Sequence, residues 1–276
     1  LQNVAYSIAQ FATGNGNVFD QPTIYIMKSV DADYIDSIVG GSAVAPASYD
    51  THSLFERALT FLGSDVLLYS TVTSGTRSNK GIELIVSTPK GLKLIKAKKL
   101  LVTAPPKLNN LQPLGLDNKE QGIFSKLTSK ALYLQLFDGT GLQTGVRYYN
   151  AKVSGDNYHV PKLPDTQFIW ATKDTQTFWT WYSAPSELSK STVEADVIGD
   201  VTKLGGGKKP NLLVSYDASP VSVSVTAAQI KAGFYDDLNS LQGYKNTWYT
   251  GSAWVSDHSA ALWNNTNAVL LPALLA

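Results

Sequence analysis

The sequence predicts an α/β fold in two lobes, one of mixed strands and helices and one built on a mostly antiparallel sheet with helices. Three observations carry this. A strand, a β-hairpin and a buried strand follow one another between residues 66 and 104. A run of short apolar strands with few helices lies between about 124 and 229. A strand, a glycine and a helix then succeed one another at the C-terminus. The 276 residues give room for one large domain or two smaller ones, and 43% hydrophobic with 16% charged residues is the composition of a core-forming chain, not a disordered one.

Taken in order, residues 1–12 have helical spacing, with Val4, Ile8 and Phe11 on one face, and Gly14-Asn-Gly16 breaks it. Residues 23–27 read as a short strand or buried run, and Gly40-Gly41 as a turn. Residues 53–62 form a helix capped by Gly63. Strands follow at 66–73, 82–88 and 92–97, with Pro89-Lys90-Gly91 turning between the last two. Within 90–99 the lysines alternate with Leu and Ile, which reads as a strand with one solvated face, not as a basic binding patch. The strand at 100–104 must end at Pro105-Pro106, because proline cannot donate to a ladder. Further strands are expected at 131–137, 168–171, 178–182 and 212–216, and a helix at 189–204 ending at Gly205. Residues 227–238 are helical, 247–250 are a short strand meeting Gly251, and a last helix runs from Asp257 to about Leu271.

Composition excludes several functions. A net charge of +1 and a pI near 7.9 steer the chain toward neither nucleic acid nor an anionic membrane. Without cysteine there are no disulfides, thiolate metal sites or cysteine nucleophiles. His52, His159 and His258 are scattered without metal-ligand spacing, so no metal is expected. No apolar run reaches the roughly 18–20 residues of a membrane span. Asp257-His258-Ser259 cannot act as a relay, because consecutive helix positions do not face one another. No spacing singles out a carboxylate pair, and Asn264-Asn-Thr266, the one N-x-S/T acceptor, lies inside the expected final helix.

The chemistry is expected at the C-terminal joint. Free N–H groups at a helix N-terminus favour negative charge, and Asp257 is placed to be the N-cap. Ser259 and Ala260 are small enough for a flat ligand to approach the backbone. In the aromatic stretch Trp170, Phe178, Trp179, Trp181 and Tyr182, strand alternation puts Trp179 and Trp181 on one face and Phe178 and Tyr182 on the other. At most one of these faces can line a pocket, and an apolar organic substrate would suit it.

Residues 98–106 (KKLLVTAPP) resemble the strand closing the FAD-binding lobe of amine-oxidase-like flavoproteins, and 67–73 (LLYSTVT) their preceding strand. Gly233-Phe-Tyr, residues 241–254 (LQGYKNTWYTGSAW) and 257–263 (DHSAALW) are similar to the fungal, β-cyclopiazonate-dehydrogenase-like branch of that family. The similarity is close over about 50–110 and 227–276 and looser between. It implies an FAD-binding lobe from 50–110 and 227–276 and a substrate lobe from 1–49 and 111–226. It also implies FAD as cofactor, with Val72 passing the adenine and Thr103, Ala104 and Pro105 near the dinucleotide. Gly251 would lie near the pyrophosphate, Ser259 and Ala260 near the flavin ring, and Trp254 and Trp263 in the flavin's surroundings, with Ser252 and Asp257 as further cofactor-binding candidates. Trp179 and Trp181 are the candidates for substrate contact, and no catalytic acid or base is singled out.

One departure from the family is plain. The strand–GxGxxG–helix that brings backbone to the pyrophosphate is absent, since Gly14-Asn-Gly16 lacks the preceding strand and Gly205-Gly-Gly207 the following helix. A second chain carrying that segment is therefore the expected partner, alongside a small-molecule substrate. The first residues have neither a basic n-region nor an initiator Met, as after processing or truncation, which favours a secreted or vacuolar location over the cytoplasm. The expected activity is oxidation of a small apolar substrate by hydride transfer to flavin. The alternatives are a flavin-dependent double-bond isomerase and a binding module that kept the fold without the cofactor.

Overall fold

The structure, a computed structural model, describes residues 21–28, 35–36, 40–41, 46–48, 50–150, 162–172, 176–256 and 259–276. The chain divides into two compact units, one from residues 1–30 and 127–228 and the other from 31–126 and 229–276. It therefore leaves unit one for unit two, returns, and leaves again. Unit two takes in 31–49 and 111–126, which the sequence reading places in the substrate lobe. The helix within 111–126 is tied to the strands of unit two by a buried ion pair described below.

In unit one, six strands make one antiparallel sheet. These are β5 (Thr128–Asp138), β6 (Arg147–Tyr149), β7 (Asp165–Ala171), β8 (Phe178–Ala184), β9 (Asn211–Asp217) and β10 (Val221–Ser224). The order is β10-β5-β8-β7-β6, with β9 also on β5. β10 and β9 share one edge of β5, pairing with its first and second halves respectively. Helix α5 (Lys190–Leu204) crosses one face, its N-cap Ser189 accepting the backbone N–H of Thr192. Val193, Val197 and Val201 recur every fourth residue, so they form one stripe. All three are buried against Ala131, Tyr133, Phe137, Ile169, Phe178 and Tyr182. Burying each valine contributes roughly 1.5–3 kcal/mol.

Residues 23–27 differ from expectation. Their β-branched composition suggests a strand, yet Thr23–Met27 is a short helix, α1, entered from Pro22. Tertiary contact overrides propensity here. Tyr25 is buried, and its hydroxyl accepts the N–H of Val225 at 2.8 Å. The expected helix at 1–12 and its break at Gly14-Asn-Gly16 lie outside the described residues.

In unit two, α2 (His52–Leu62) stops where Gly63 takes φ +53 and donates its N–H to the Leu59 carbonyl. Strands β1 (Thr71–Ser78), β2 (Gly81–Thr88) and β3 (Gly91–Ala97) form a three-stranded antiparallel sheet in that order. β1 begins at Thr71, not at 66, because Tyr69 has a left-handed φ of +52 that interrupts any extended run. Ile82, Leu84 and Val86 line the buried face of β2. β3 does not have the single solvated face expected of it. As the edge strand it exposes its apolar side too, with Leu92 76% and Leu94 56% exposed.

After β4 (Leu100–Val102) come α3 (Leu108–Leu111), a 3₁₀ turn over Gln112–Leu114 and α4 (Asn118–Phe124). The expected helix at 227–238 is two, α6 (Ala227–Lys231) and α7 (Phe234–Asn239), separated at Gly233, whose φ of +85 no helix can carry. Strand β11 (Thr247–Tyr249) precedes the last helical stretch. That stretch is α8 (Ser259–Asn265), a π turn over Thr266–Leu270 and α9 (Leu271–Leu275). The ladder widens just ahead of Pro272, which has no N–H to donate. Lys99 Nζ donates to the Leu274 carbonyl at 2.7 Å, putting a cation at the negative end of this stretch.

Candidate functional site

β4 and β11 are the only parallel pair among the described strands, in the register Thr247 to Leu100, Trp248 to Leu101 and Tyr249 to Val102. The N–H of Thr250 continues the ladder to the Val102 carbonyl at 3.1 Å. Thr103, Ala104 and Pro105 therefore leave the same end of the pair as Gly251, Ser252 and Trp254. The carboxyl ends of parallel strands are where α/β folds leave a crevice for ligands. The free edge of β11 is satisfied by the Gly243 N–H, which donates to the Thr247 carbonyl at 2.9 Å, and by the Gln242 side chain. Gln242 Nε2 donates to the Tyr249 carbonyl, and the Tyr249 N–H donates to Gln242 Oε1, both at 2.9 Å.

Gly251 sits at φ +116, and a Cβ built on it meets nothing within 4 Å among the described residues. Glycine is thus required by the backbone, while the side toward which a side chain would point is open. The turn is closed by N–H groups of Trp254 and Val255 donating to the Gly251 carbonyl, both at 3.1 Å. The Trp254 ring stacks on Tyr249 with centroids 5.3 Å apart and planes 9° from parallel, and Phe124 meets both rings edge-on. Thr250 Oγ1 and Trp254 Nε1 are buried with no hydrogen-bond partner among the described residues.

Beneath this end lies a polar network that the sequence reading missed. Arg77 on β1 and Glu120 on α4 are both fully buried and pair through two 2.8 Å contacts. Arg77 Nε also donates to the Leu114 carbonyl, and its NH1 donates to Thr247 Oγ1 and Tyr249 Oη. Tyr249 Oη in turn donates to Glu120 Oε1 at 3.0 Å. Burial, then the charge of Glu120, pushes the Tyr249 hydroxyl well above its ordinary value, against the opposing pull of Arg77. Glu120 also closes a capping box with Asp117. The Asp117 carboxyl is opposed by desolvation. Even so, hydrogen bonds from Lys245, the Glu120 N–H and Tyr244 hold it far below the usual carboxylate range. The network joins β1, the 110s turn, α4 and β11, and so fixes the strand that delivers Gly251. The visible signal was a D-x-x-E capping pattern at Asp117–Glu120 and an arginine inside a strand.

The other site candidates are distributed. Val72 is on β1 opposite Val86. Ser259 and Ala260 open α8 with exposed side chains, and Trp263 is 68% exposed. Asp257 and His258 lie outside the described residues. Trp179 and Trp181 belong to unit one, and the two faces of their strand separate there as alternation requires. Phe178 and Tyr182 are buried under α5, where Tyr182 donates to Asp196 Oδ2 at 2.7 Å. Trp179 and Trp181 are half-buried on the opposite face with Phe168, Trp170 and Tyr149, and Arg147 lies 4.5 Å over the Trp170 ring.

No family model matches the chain. It is 36% identical over its whole length to the FAD-dependent oxidoreductase pigF of Monascus ruber, of which it covers 61%. Over 95% of its length it is 34% identical to the FAD-dependent oxidoreductase dbaF of Emericella nidulans, covering 57% of that protein. Over 98% it is 31% identical to β-cyclopiazonate dehydrogenase of Aspergillus flavus, covering 60%. The chain thus spans about three-fifths of the curated relatives it matches. Among solved structures it shares the fold of the CLA-producing fatty acid isomerase from P. acnes, with TM-score 0.77, 18% identity, and coverage of 96% of this chain and 62% of that one. It also aligns with an Exiguobacterium protein described as a putative protoporphyrinogen oxidase, with TM-score 0.56, 13% identity, and coverage of 98% and 62%. The residues present fit a flavin dinucleotide at the β4–β11 end. The space beside Gly251 is open, and two buried polar atoms there await partners.

Proposed function

The chain is a homologue of the fungal FAD-dependent oxidoreductases, and on that premise we propose that it forms part of an FAD-dependent oxidoreductase acting on a small apolar organic molecule. The observation that carries this is the juxtaposition of residues 103–105 with the open Gly251 turn at the end of the one parallel strand pair among the described residues. Bound flavin supplies the redox chemistry by accepting a hydride. The chain's own residues hold and orient. Gly251 lets backbone approach the dinucleotide, the Arg77–Glu120–Tyr249 network fixes β11, and the Trp179–Trp181 face offers an apolar platform for substrate. A double-bond isomerase is the second reading, favoured by the fold shared with the fatty acid isomerase.

The proposal includes a partner segment. Unit two exposes Phe55 at 64%, Phe61 at 89% and Tyr69 at 92%, with Leu54, Leu62 and Leu68 beside them in sequence. Apolar exposure on this scale marks a covered surface. We assign it to a dinucleotide-binding segment with GxGxxG, on a second polypeptide, corresponding to the part of the relatives' length that this chain does not match. An absorption spectrum of the native protein with intact-mass analysis tests both points. Flavin bands with a co-purifying GxGxxG polypeptide are expected. A flavin-free sample would overturn the oxidoreductase, and a flavin-containing sample of this polypeptide alone would overturn the partner.

A further inference from the structure

Resting on the reading of the Trp179–Trp181 face as a substrate platform, we infer that its ligand is an organic acid, an apolar body ending in a carboxylate, and that Arg147 is the residue that selects the acid. The strand register lays two rows of side chains across one face of the unit-one sheet. One row runs Val214, Leu136, Trp179, Trp170, Arg147 from β9 to β6. The next runs Tyr216, Leu134, Trp181, Phe168, Tyr149. Directly opposed residues of an antiparallel sheet share a face. Every position on these rows is therefore apolar or aromatic except the last of the first row, which is a cation at the sheet edge.

The geometry leaves that cation ready for an anion. The Arg147 guanidinium lies 4.5 Å over the Trp170 ring. Such a stack uses the flat face of the group and leaves its in-plane N–H edges for a carboxylate, which they can meet in bidentate fashion. Arg147 makes no hydrogen bond or ion pair among the described residues. It lines a cavity of about 590 Å³ together with Tyr149, Phe168 and Lys203. Asp200, the carboxylate in that lining, accepts from Thr166 Oγ1 at 2.6 Å instead. Two cations against one carboxylate leave the cavity positive. Trp179 and Arg147 stand two strands apart, roughly 10 Å, within reach of one small molecule with an apolar body and an acidic end.

Isothermal titration of the holoprotein with 4-phenylbutanoate and with 4-phenylbutanamide compares a carboxylate with a neutral group of similar shape, at about pH 7 where the acid is ionised. The parent should bind the acid roughly tenfold more tightly than the amide. Arg147→Met keeps an apolar stem over Trp170, so it should weaken the acid about tenfold and leave the amide unchanged. Arg147→Lys should keep part of the preference, because the charge remains and the fork is lost. Trp179→Ala should weaken both probes, which locates them on the rows. Absence of binding, a parent that does not prefer the acid, or a preference that survives R147M overturns the inference. So does R147M weakening both probes alike, or W179A weakening neither. The oxidoreductase reading fails separately: a sample without flavin bands that still prefers the acid through Arg147 refutes that reading and leaves the acid site standing.

Discussion

Replacing Glu120 with Gln removes one charge from the centre of unit two at almost no change in shape. Both contacts to Arg77 are 2.8 Å, and both side chains are fully buried. Removing one partner of such a pair strands the other charge, at a cost of about 3–5 kcal/mol. Gln keeps a carbonyl for one guanidinium N–H and can still close the capping box at Asp117, so the loss should sit at the low end, about 3 kcal/mol. For a protein of this size that is roughly 6–12 °C in Tm. Urea unfolding of the holoprotein, followed by circular dichroism and tryptophan fluorescence, measures it. The slope with denaturant should not change, because the surface exposed on unfolding is the same. Arg77→Met with Glu120→Leu should recover part of the loss. It should not recover all of it, because Thr247 and Leu114 then lose their donor. An E120Q variant within about 1 kcal/mol of the parent would refute the claim that this pair is buried and unscreened.

Other outcomes follow from the same structure. Asp117 has a lowered carboxyl pKa, so its stabilising contribution is complete above about pH 4 and is lost as pH falls toward the lowered value. The stability gap between the parent and Asp117→Asn should therefore narrow in acid unfolding below about pH 4. Burial first, with Asp196 for Tyr182 and Glu120 for Tyr249, pushes both hydroxyls up. In an ultraviolet alkaline titration two tyrosines should then ionise only as the protein unfolds. Gly251→Ala meets no steric obstacle at its Cβ but must hold φ +116, which should cost about 1–3 kcal/mol in thermal unfolding. Phe137→Ala, fully buried under α5, should cost about 3–5 kcal/mol by the same assay.

The elements that the sequence announced are those where one local rule dominates. The strand alternation of β2, the four-residue valine spacing of α5, the stop at Gly63 and the proline pair after β4 are each decided within a few residues. The misreadings lie where distant contacts decide. Thr23–Met27 has strand composition, but Tyr25 is held by Val225, 200 residues on. The start of β1 depends on a left-handed Tyr69 that no propensity foretells. At the candidate site, Gly251 and residues 103–105 were legible because a strand end and a glycine are local features. Arg77, Glu120 and Thr250 were not, because a buried arginine and an unpartnered hydroxyl acquire meaning only from what surrounds them.

The antiparallel sheet of unit one has a property of modular kind. The return excursion of the chain begins on β5 and closes on β10, and these strands pair side by side, with Ser224 opposite Thr128 and Thr128 Oγ1 donating to the Ser224 carbonyl at 3.1 Å. Residues 127–228 therefore form an insert whose two ends meet, and to unit two the whole excursion is no longer than a tight loop. Inserts with adjoining ends are the ones that tolerate exchange and permutation. Loops within 127–228 can change without disturbing the pairing of β4 with β11. The face proposed to meet substrate can thus be retuned while the strand ends proposed to hold the cofactor stay fixed.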